Sequence, residues 1–348
     1  MRRIWTLVSA AVVFVAMAVT VGLAPTGFVS RAPGVALDVT SQQGSQPVIE
    51  VDGAQPLPQS GLILAASMVQ SGQDERVSLL RLVIDYFLPN HEVLPRDNIY
   101  PSGQTAGEAA DDAQQAVQSS RAQAMAAAVT QSGGNVIERP EVVAVRQSGP
   151  SYQKLFPGDL IVAIDNTPVQ TDNDVLNYIR NNKQIGDQVV VTVLRGAIES
   201  KVTIDKLVGS STDMTVPSIG VSQWGTGYSY SPSIQIATPA GQADPAQGLP
   251  LALATYDLLT GNDATGGKII AAAGQIAADG TVSAVSGINE YATSAANAGA
   301  TVFLIPSANC SDINDTFHGM AIVPVADLDG ALTDLNAYNT AGTALPQC

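Results

Sequence analysis

Positive charge is scarce in this chain: 16 Lys and Arg stand against 31 Asp and Glu, a formal net charge of −15. Binding to nucleic acid needs Lys and Arg clustered against phosphates, so that function class is excluded. Histidine is scarcer still. His91 and His318 stand in no ligand-like spacing, and no zinc site is expected. No metal and no cofactor are expected. Charged residues are only 14% of the chain and hydrophobic ones 45%, so most of it is globular, and 348 residues suffice for two or three domains. The acidic excess favours solubility and says little about fold.

One long stretch lacks charge altogether. Met1, Arg2 and Arg3 are followed by an uncharged run over residues 4–24. A helix needs roughly 20 apolar residues to cross the hydrocarbon core. The two arginines are expected to stay in the cytoplasm, which puts the bulk of the chain outside a single-pass anchor in the cell membrane. A cleaved signal peptide is the alternative, but its apolar region is typically about 7–15 residues. The run here is longer, and Pro25 directly after Ala24 is a poor cleavage context. Outside the membrane an even pair of cysteines, Cys310 and Cys348, favours a disulfide; two unpaired thiols are the alternative.

The chain then divides by composition. Residues 26–130 form an extracytoplasmic N-terminal region. Within it 62–69 reads as a strand and 77–87 as an amphipathic helix. The Ala- and Gln-rich stretch 104–130 reads as a helical spacer ended by Gly133 and Gly134. Residues 155–169 read LFPGDLIVAIDNTPV. Pro157-Gly158-Asp159 turns the chain into an apolar strand, LIVAI, and Asp165-Asn166 make a tight turn in which Asn tolerates the left-handed conformation. Asp172 or Asp174 can cap the helix that follows, and 188–194 alternates as a strand. This stretch resembles the L-x-P-G-D-x-I-x-x-I-D-G-x-P-V signature of bacterial PDZ domains, and the resemblance covers 131–208. PDZ domains take an extended peptide at a sheet edge beside a helix. By resemblance that helix is 174–182, with Val175 and Ile179 as peptide-binding positions. The same face also suits a core, and the residues leave both readings open.

A polar linker leads to 214–340, where strand and helix patterns alternate in the α/β manner, before a tail at 341–348 that carries Cys348. Residues 244–249 read DPAQGL and residues 286–291 read SGINEY. The first resembles the nucleophile motif of Lon-type proteases, G-P-S-A-G, and the second resembles their G-G-I-x-x-K. Further matches follow in the right order: TGGK at 265–268, AADGTV at 277–282, ANAGATVFLIP at 296–306 and SANC at 307–310. The layout resembles a bacterial family of membrane-anchored proteins with a PDZ domain fused to a Lon-like serine protease domain (peptidase S16). The expected fold is therefore α/β (α+β): an N-terminal transmembrane helix over 1–25, a PDZ domain with a small barrel-like sheet and helices, and a Lon proteolytic-type domain.

The resemblance implies a serine-type endopeptidase with a serine nucleophile, a lysine base of lowered pKa and backbone N–H groups for the oxyanion. Here the serine position is Ala246, the lysine position is Tyr291, and a supporting threonine falls at Ala273. A phenol with a pKa of ~10 is neutral at pH 7 and a poor base for a hydroxyl. The chain is thus identified as a degenerate member, expected to have no catalytic residue. The expected cleft beside Pro245, Gly248 and the next helix could hold a peptide without cutting it. Substitutes weigh little: Ser283, Ser286 or Ser294 as nucleophile with Lys268 as base must meet at about 3 Å. Asp244 and Glu290 could form a carboxylate pair, though nothing in the sequence brings them together. The run GNDATGGK at 261–268 is one residue too long for a phosphate loop and has Ile269 where Ser or Thr belongs, and no ATP is expected outside the cell. The partners expected are peptide or protein C-terminal or extended segments, the cell membrane through 4–24, and a further copy of the chain or an active protease relative. The alternatives are a working endopeptidase with a relocated nucleophile and a non-enzymatic assembly or scaffold protein.

Overall fold

The structure, a computed structural model, describes residues 2–43, 46–53, 60–196, 198–237, 243–314 and 316–348, with 2–4, 6–10, 42, 43 and 46 described by backbone alone. Seven α-helices lie among the described residues: α1 (Arg2–Gly22), α2 (Leu79–Phe87), α3 (Ala106–Gln131), α4 (Asp172–Asn182), α5 (Gly248–Thr260), α6 (Ile288–Asn297) and α7 (Leu328–Ala341). Their ends follow the local sequence. Thr105 and Glu108 close a reciprocal capping box at the start of α3, and Asp327 caps α7 by accepting from the Gly330 N–H at 2.7 Å. Gly261, at φ 74°, ends α5 in the left-handed conformation that other residues rarely adopt.

The larger unit is built on a sheet in which Leu62–Ala65, Ile269–Ala272, Val302–Pro306 and Ala321–Val325 run parallel, with Leu37–Asp38 antiparallel at one edge. A parallel sheet is buried on both faces, and these strands alternate accordingly. Ile63, Ala65, Ile270, Ala272, Val302, Leu304 and Val323 face a core shared with α3, α5 and α7. Leu64, Ala66, Ala271, Ala273, Phe303 and Ile305 face a second core completed by α6. Each fully buried Val, Leu, Ile or Phe contributes about 1.5–3 kcal/mol, so this double-sided burial dominates the unit's stability. Cys310 and Cys348 lie at disulfide distance, their Cα atoms 5.2 Å apart, and tie the C-terminal tail to the turn after Val302–Pro306.

Residues 26–130 do not stand apart from the rest of the chain. Their strands Leu37–Asp38 and Leu62–Ala65 are members of the sheet just described, and Ile49–Val51 pairs with Ile234–Ile236. The second half of α3 is interior: Ala124 to Val129 are all buried, against α5. Alanine-rich sequence makes a helix with small side chains, which are what lets two helices approach closely. A small antiparallel sheet, in the order Met68–Gln70, Phe28–Pro33, Glu92–Pro95, packs beside α6.

The smaller unit has the sheet order Ile198–Ile204, Val189–Arg195, Leu160–Ile164, Val136–Val145, Val221–Tyr230. Its edge strand, Val221–Tyr230, comes from beyond 208, where the sequence places the end of this unit. It pairs with Val136–Val145 from Val221–Val145 to Tyr230–Val136. The turn residues behave as their chemistry requires. Asp165 and Asn166 have φ of 47° and 66°, and buried Asp159 accepts from the Phe156 N–H at 2.9 Å while Arg195 grips both its oxygens at 2.7 Å. The cap of α4 is Thr171, not Asp172 or Asp174. Asp174 is its partner three residues on, in a capping box that satisfies two backbone donors instead of one.

Among the described residues no helix is long and apolar enough to cross a membrane, so the spanning helix expected over 4–24 is not supported. The side chains of 6–10, part of that apolar run, lie outside the described residues.

Ala128→Leu separates a buried α3 from a solvated one. Overpacking the contact with α5 is expected to lower stability by about 1–3 kcal/mol in urea unfolding, whereas a solvated spacer would tolerate the change within error.

Candidate functional site

Asp244 opens the site. It caps a short 3-10 turn, Pro245–Gln247, that runs directly into α5, with Pro in the first turn where no N–H is needed. The Asp244 Oδ1 accepts from the Ala246 N–H at 2.8 Å. Behind this turn the Gly274 N–H donates to the Ala246 carbonyl at 2.8 Å and the Leu249 N–H to the Gly274 carbonyl at 3.0 Å, which clamps the start of α5 to the end of Ile269–Ala272. Ser120 of α3 adds a third tie, its hydroxyl donating to the Pro245 carbonyl at 2.6 Å.

Tyr291, in the first turn of α6, reaches across to this turn. Its hydroxyl donates to the Asp244 Oδ2 at 2.7 Å. Ala246, Ala273 and Tyr291 are all buried in one core cluster, so the three positions singled out from the sequence do come together in space. What they form is an apolar pocket closed by one hydrogen bond. Burial pushes the Tyr291 hydroxyl above its ordinary value, and the negative charge and hydrogen bond of Asp244 push it further. The phenol is therefore a neutral donor. Burial also raises the Asp244 carboxyl, against the opposing effect of the Tyr291 and Ala246 donors.

The helix start offers no free donors. The Ala246 N–H is held by Asp244 Oδ1, the Gln247 N–H by the Asp244 carbonyl, the Gly248 N–H by the Pro245 carbonyl and the Leu249 N–H by the Gly274 carbonyl. An oxyanion needs such groups aimed into an open space. Beside Pro245 and Gly248, where the sequence led us to expect a cleft, the donors are paired within the protein.

The substitute nucleophiles and base are scattered. Lys268 donates to Asn339 Oδ1 at 2.9 Å and lies 4.5 Å from the Tyr338 ring centre, on the α7 side of the sheet. Ser286 is exposed and lines a different space, a cavity of about 690 Å³ with Pro89, His91, Glu92, Glu290 and Asp312. Ser283 is exposed, and Ser294 is buried with its Oγ accepting from the Ser67 N–H at 3.3 Å. Asp244 and Glu290 are not hydrogen-bonded to each other. Glu290 is buried near Arg31, Glu92 and His91. Desolvation raises its carboxyl, Glu92 adds to the rise, and Arg31 and His91 oppose it.

In the smaller unit Val175 and Ile179 are 0% and 1% exposed and belong to its core, the second of the two readings left open. Val221–Tyr230 is the edge strand, and a cavity of about 290 Å³ opens between it and the start of α4, lined by Arg139, Gln170, Thr171, Asn173, Trp224 and Thr226.

The Asp244–Tyr291 bond was missed in the sequence. The capping Asp-Pro pair was a visible signal, but nothing marked its partner 47 residues away. Asp257 of α5 was missed as well. It is fully buried, its Oδ2 accepts from the Ala264 N–H at 2.9 Å, and its Oδ1 has no hydrogen-bond partner in the protein. Burial, with help from the charge of Asp263, pushes this carboxyl up to about 7.

Comparison with known proteins finds two domain types, with bounds that cut through α3 and the edge strand Val221–Tyr230. Residues 116–205 match the PDZ domain, and residues 225–335 match the Lon protease (S16) C-terminal proteolytic domain. Together they support placing the chain among proteins that join a PDZ domain to a Lon-like proteolytic domain. Two solved structures of Listeria PDZ domains are similar to the first segment. That of the SdrC-like protein from Listeria monocytogenes is 27% identical over 24% of this chain and 85% of its own, with a TM-score of 0.22. Its counterpart from Listeria innocua is 27% identical over 24% of this chain and 90% of its own, also at 0.22. A solution structure from Geobacillus thermodenitrificans is 29% identical over 24% of this chain and 92% of its own, at 0.21. Among curated proteins none matches.

Tyr291→Phe strands the Asp244 Oδ2 and is expected to lower stability at pH 7 by about 1–3 kcal/mol in urea unfolding. The Asp257 carboxyl gives a pH signature. Its folded value lies above the ordinary 3.8, so the stability that its proton contributes is full below about pH 4 and is lost as pH rises through about 7. In unfolding measured from pH 4 to pH 8, Asp257→Asn is expected to gain on the native chain as pH rises across that window and to run parallel to it above.

Proposed function

We propose that this chain is a catalytically inert relative of Lon-like PDZ proteases that binds extended or C-terminal peptide segments through its PDZ domain. One observation carries the loss of catalysis: where a serine–lysine dyad and its oxyanion donors would act, Tyr291 donates to Asp244 and Asp244 occupies the Ala246 N–H. There is no nucleophile at 246, no base at 291 and no open donor at the head of α5. The relocated endopeptidase is disfavoured because Ser286 and Lys268 are held by different parts of the fold.

The binding reading rests on the edge strand Val221–Tyr230 and the neighbouring α4. PDZ domains add a peptide as a further strand at such an edge. The cavity beside Trp224 supplies space for a side chain of the incoming segment. In this reading the apolar α1 anchors the chain, with residues after 25 on the outer face of the cell membrane. A further copy or an active protease relative is then a natural partner at that surface. An assembly protein with no peptide ligand is the competing reading.

Hydrolysis of unfolded casein tests the first part. The native chain is expected to leave casein intact and to ignore a serine-directed covalent probe. Ala246→Ser combined with Tyr291→Lys is also expected to fail, because a lysine introduced there faces the Asp244 carboxylate and stays charged. Adding Asp244→Gly removes that charge and is the combination expected to regain cleavage. Probe-sensitive cleavage by the native chain would sink the reading. For the second part, a panel of C-terminal peptides titrated onto the chain should shift Trp224 fluorescence, with the shift lost in Trp224→Phe. A flat response across the panel would favour the assembly reading.

A further inference from the structure

Helix α2 is built inside out. Its one buried residue is its one acid: Asp85 is 1% exposed, accepts from the Ser30 hydroxyl at 2.7 Å and from the Arg81 Nε at 2.8 Å. Most of its apolar side chains are exposed, Leu79 and Leu82 being half-buried. Leu80 is 55% exposed, Val83 46%, Ile84 48% and Phe87 78%. A surface helix of a globular protein shows the reverse, with its apolar stripe on the core. Contiguous apolar patches on monomers rarely exceed a few hundred Å² unless something covers them.

What covers this one is indicated by its neighbour. The end of α1 is fastened to the start of α2: the Leu79 N–H donates to the Ala24 carbonyl at 3.0 Å and the Thr26 N–H to the Val77 carbonyl at 2.9 Å. Pro25 and Ser78 form a bridge, and a Cβ added at Gly22 would meet the Leu80 Cβ at 3.6 Å. The apolar face of α2 therefore adjoins the apolar surface of α1. Residues 11–21 of α1 are exposed on every side of the helix. A second protein surface would cover one side of such a helix. A lipid phase covers all sides and meets the α2 face where α1 ends.

We infer that α2 is an interfacial helix, its Leu80–Val83–Phe87 face seated in the lipid surface next to the end of α1. The inference rests on the membrane-anchoring reading of α1 and adds a second contact to it. The net charge of −15 disfavours anionic headgroups, so the surface is zwitterionic lipid entered by apolar side chains. Tyr86 and Phe87 stack edge to face, with centroids 5.3 Å apart, at the end of the helix, and tyrosine is a residue enriched at the headgroup level. The cavity that contains His91 and Glu290 begins two residues beyond α2, so its mouth would open close to the lipid surface.

The test uses the full chain in phosphatidylcholine vesicles. Nitroxide labels are placed by Val83→Cys and, separately, by Phe87→Cys, with Met214→Cys in the PDZ unit as the aqueous reference. Flotation reports on anchoring, and collision with oxygen against a polar nickel chelate reports on the label's surroundings. The chain is expected to float, with the oxygen-to-chelate ratio at 83 and 87 several-fold above that at 214. A floating chain whose labels at 83 and 87 match 214 overturns this inference alone. Labels shielded from both reagents also overturn it, since a second copy of the chain then covers the face. A chain that does not float overturns the anchoring and this inference together.

Discussion

The need of a parallel sheet for cover on both faces governs the larger unit. Four parallel strands that alternate Ile63, Leu64, Ala65 and Ala66, or Val302, Phe303, Leu304 and Ile305, expose an apolar row on each side. One row is covered by α5, α7 and the second half of α3, the other by α6. Because α3 precedes the PDZ unit in sequence and α5 follows it, that unit is an insertion between two parts of one core. Its edge strand, Val221–Tyr230, and α3 are also in contact, so the two units share structural members.

The same burial decides the chemistry of the site. In a pocket walled by Ala246, Ala273, Ala292 and Ile305, a charged base would have to be desolvated. The chain holds a neutral phenol there and one hydrogen bond to a carboxylate that also caps the helix. Each polar group is satisfied by another within the pocket. In this arrangement the Tyr291 hydroxyl and the N–H groups at the head of α5 are all taken up within the protein. Asp257 is the contrasting case: a fully buried carboxyl, with one oxygen unmatched, whose proton is retained toward neutral pH.

Much of this was legible locally. The LIVAI strand, the left-handed Asp165–Asn166 pair and the Pro-Gly-Asp turn depend on neighbours in sequence, and all are found as expected. The three altered positions of the resembled dyad also converge in one pocket. Other features were not legible because they depend on distant partners. The alanines of α3 read only as a spacer helix until α5 lies against them. Val175 and Ile179 share one helix face in either reading, and only the packing of the sheet beneath α4 makes them core. The edge strand of the PDZ sheet lies past the linker, where nothing in the local pattern assigns it to one unit or the other.

By itself the sequence determined the residue types available: no serine at 246, no lysine at 291, two cysteines, few cations and a long uncharged start. Those absences limit the chemistry whatever the fold does, because side chains that are missing cannot be supplied by packing. Only the tertiary structure decided what replaced them. It brought Asp244 within 2.7 Å of Tyr291, occupied the donors at the head of α5, and turned the apolar face of α2 outward beside α1. These outcomes rest on contacts between segments tens of residues apart, and such contacts are set by how the sheet's two faces are covered.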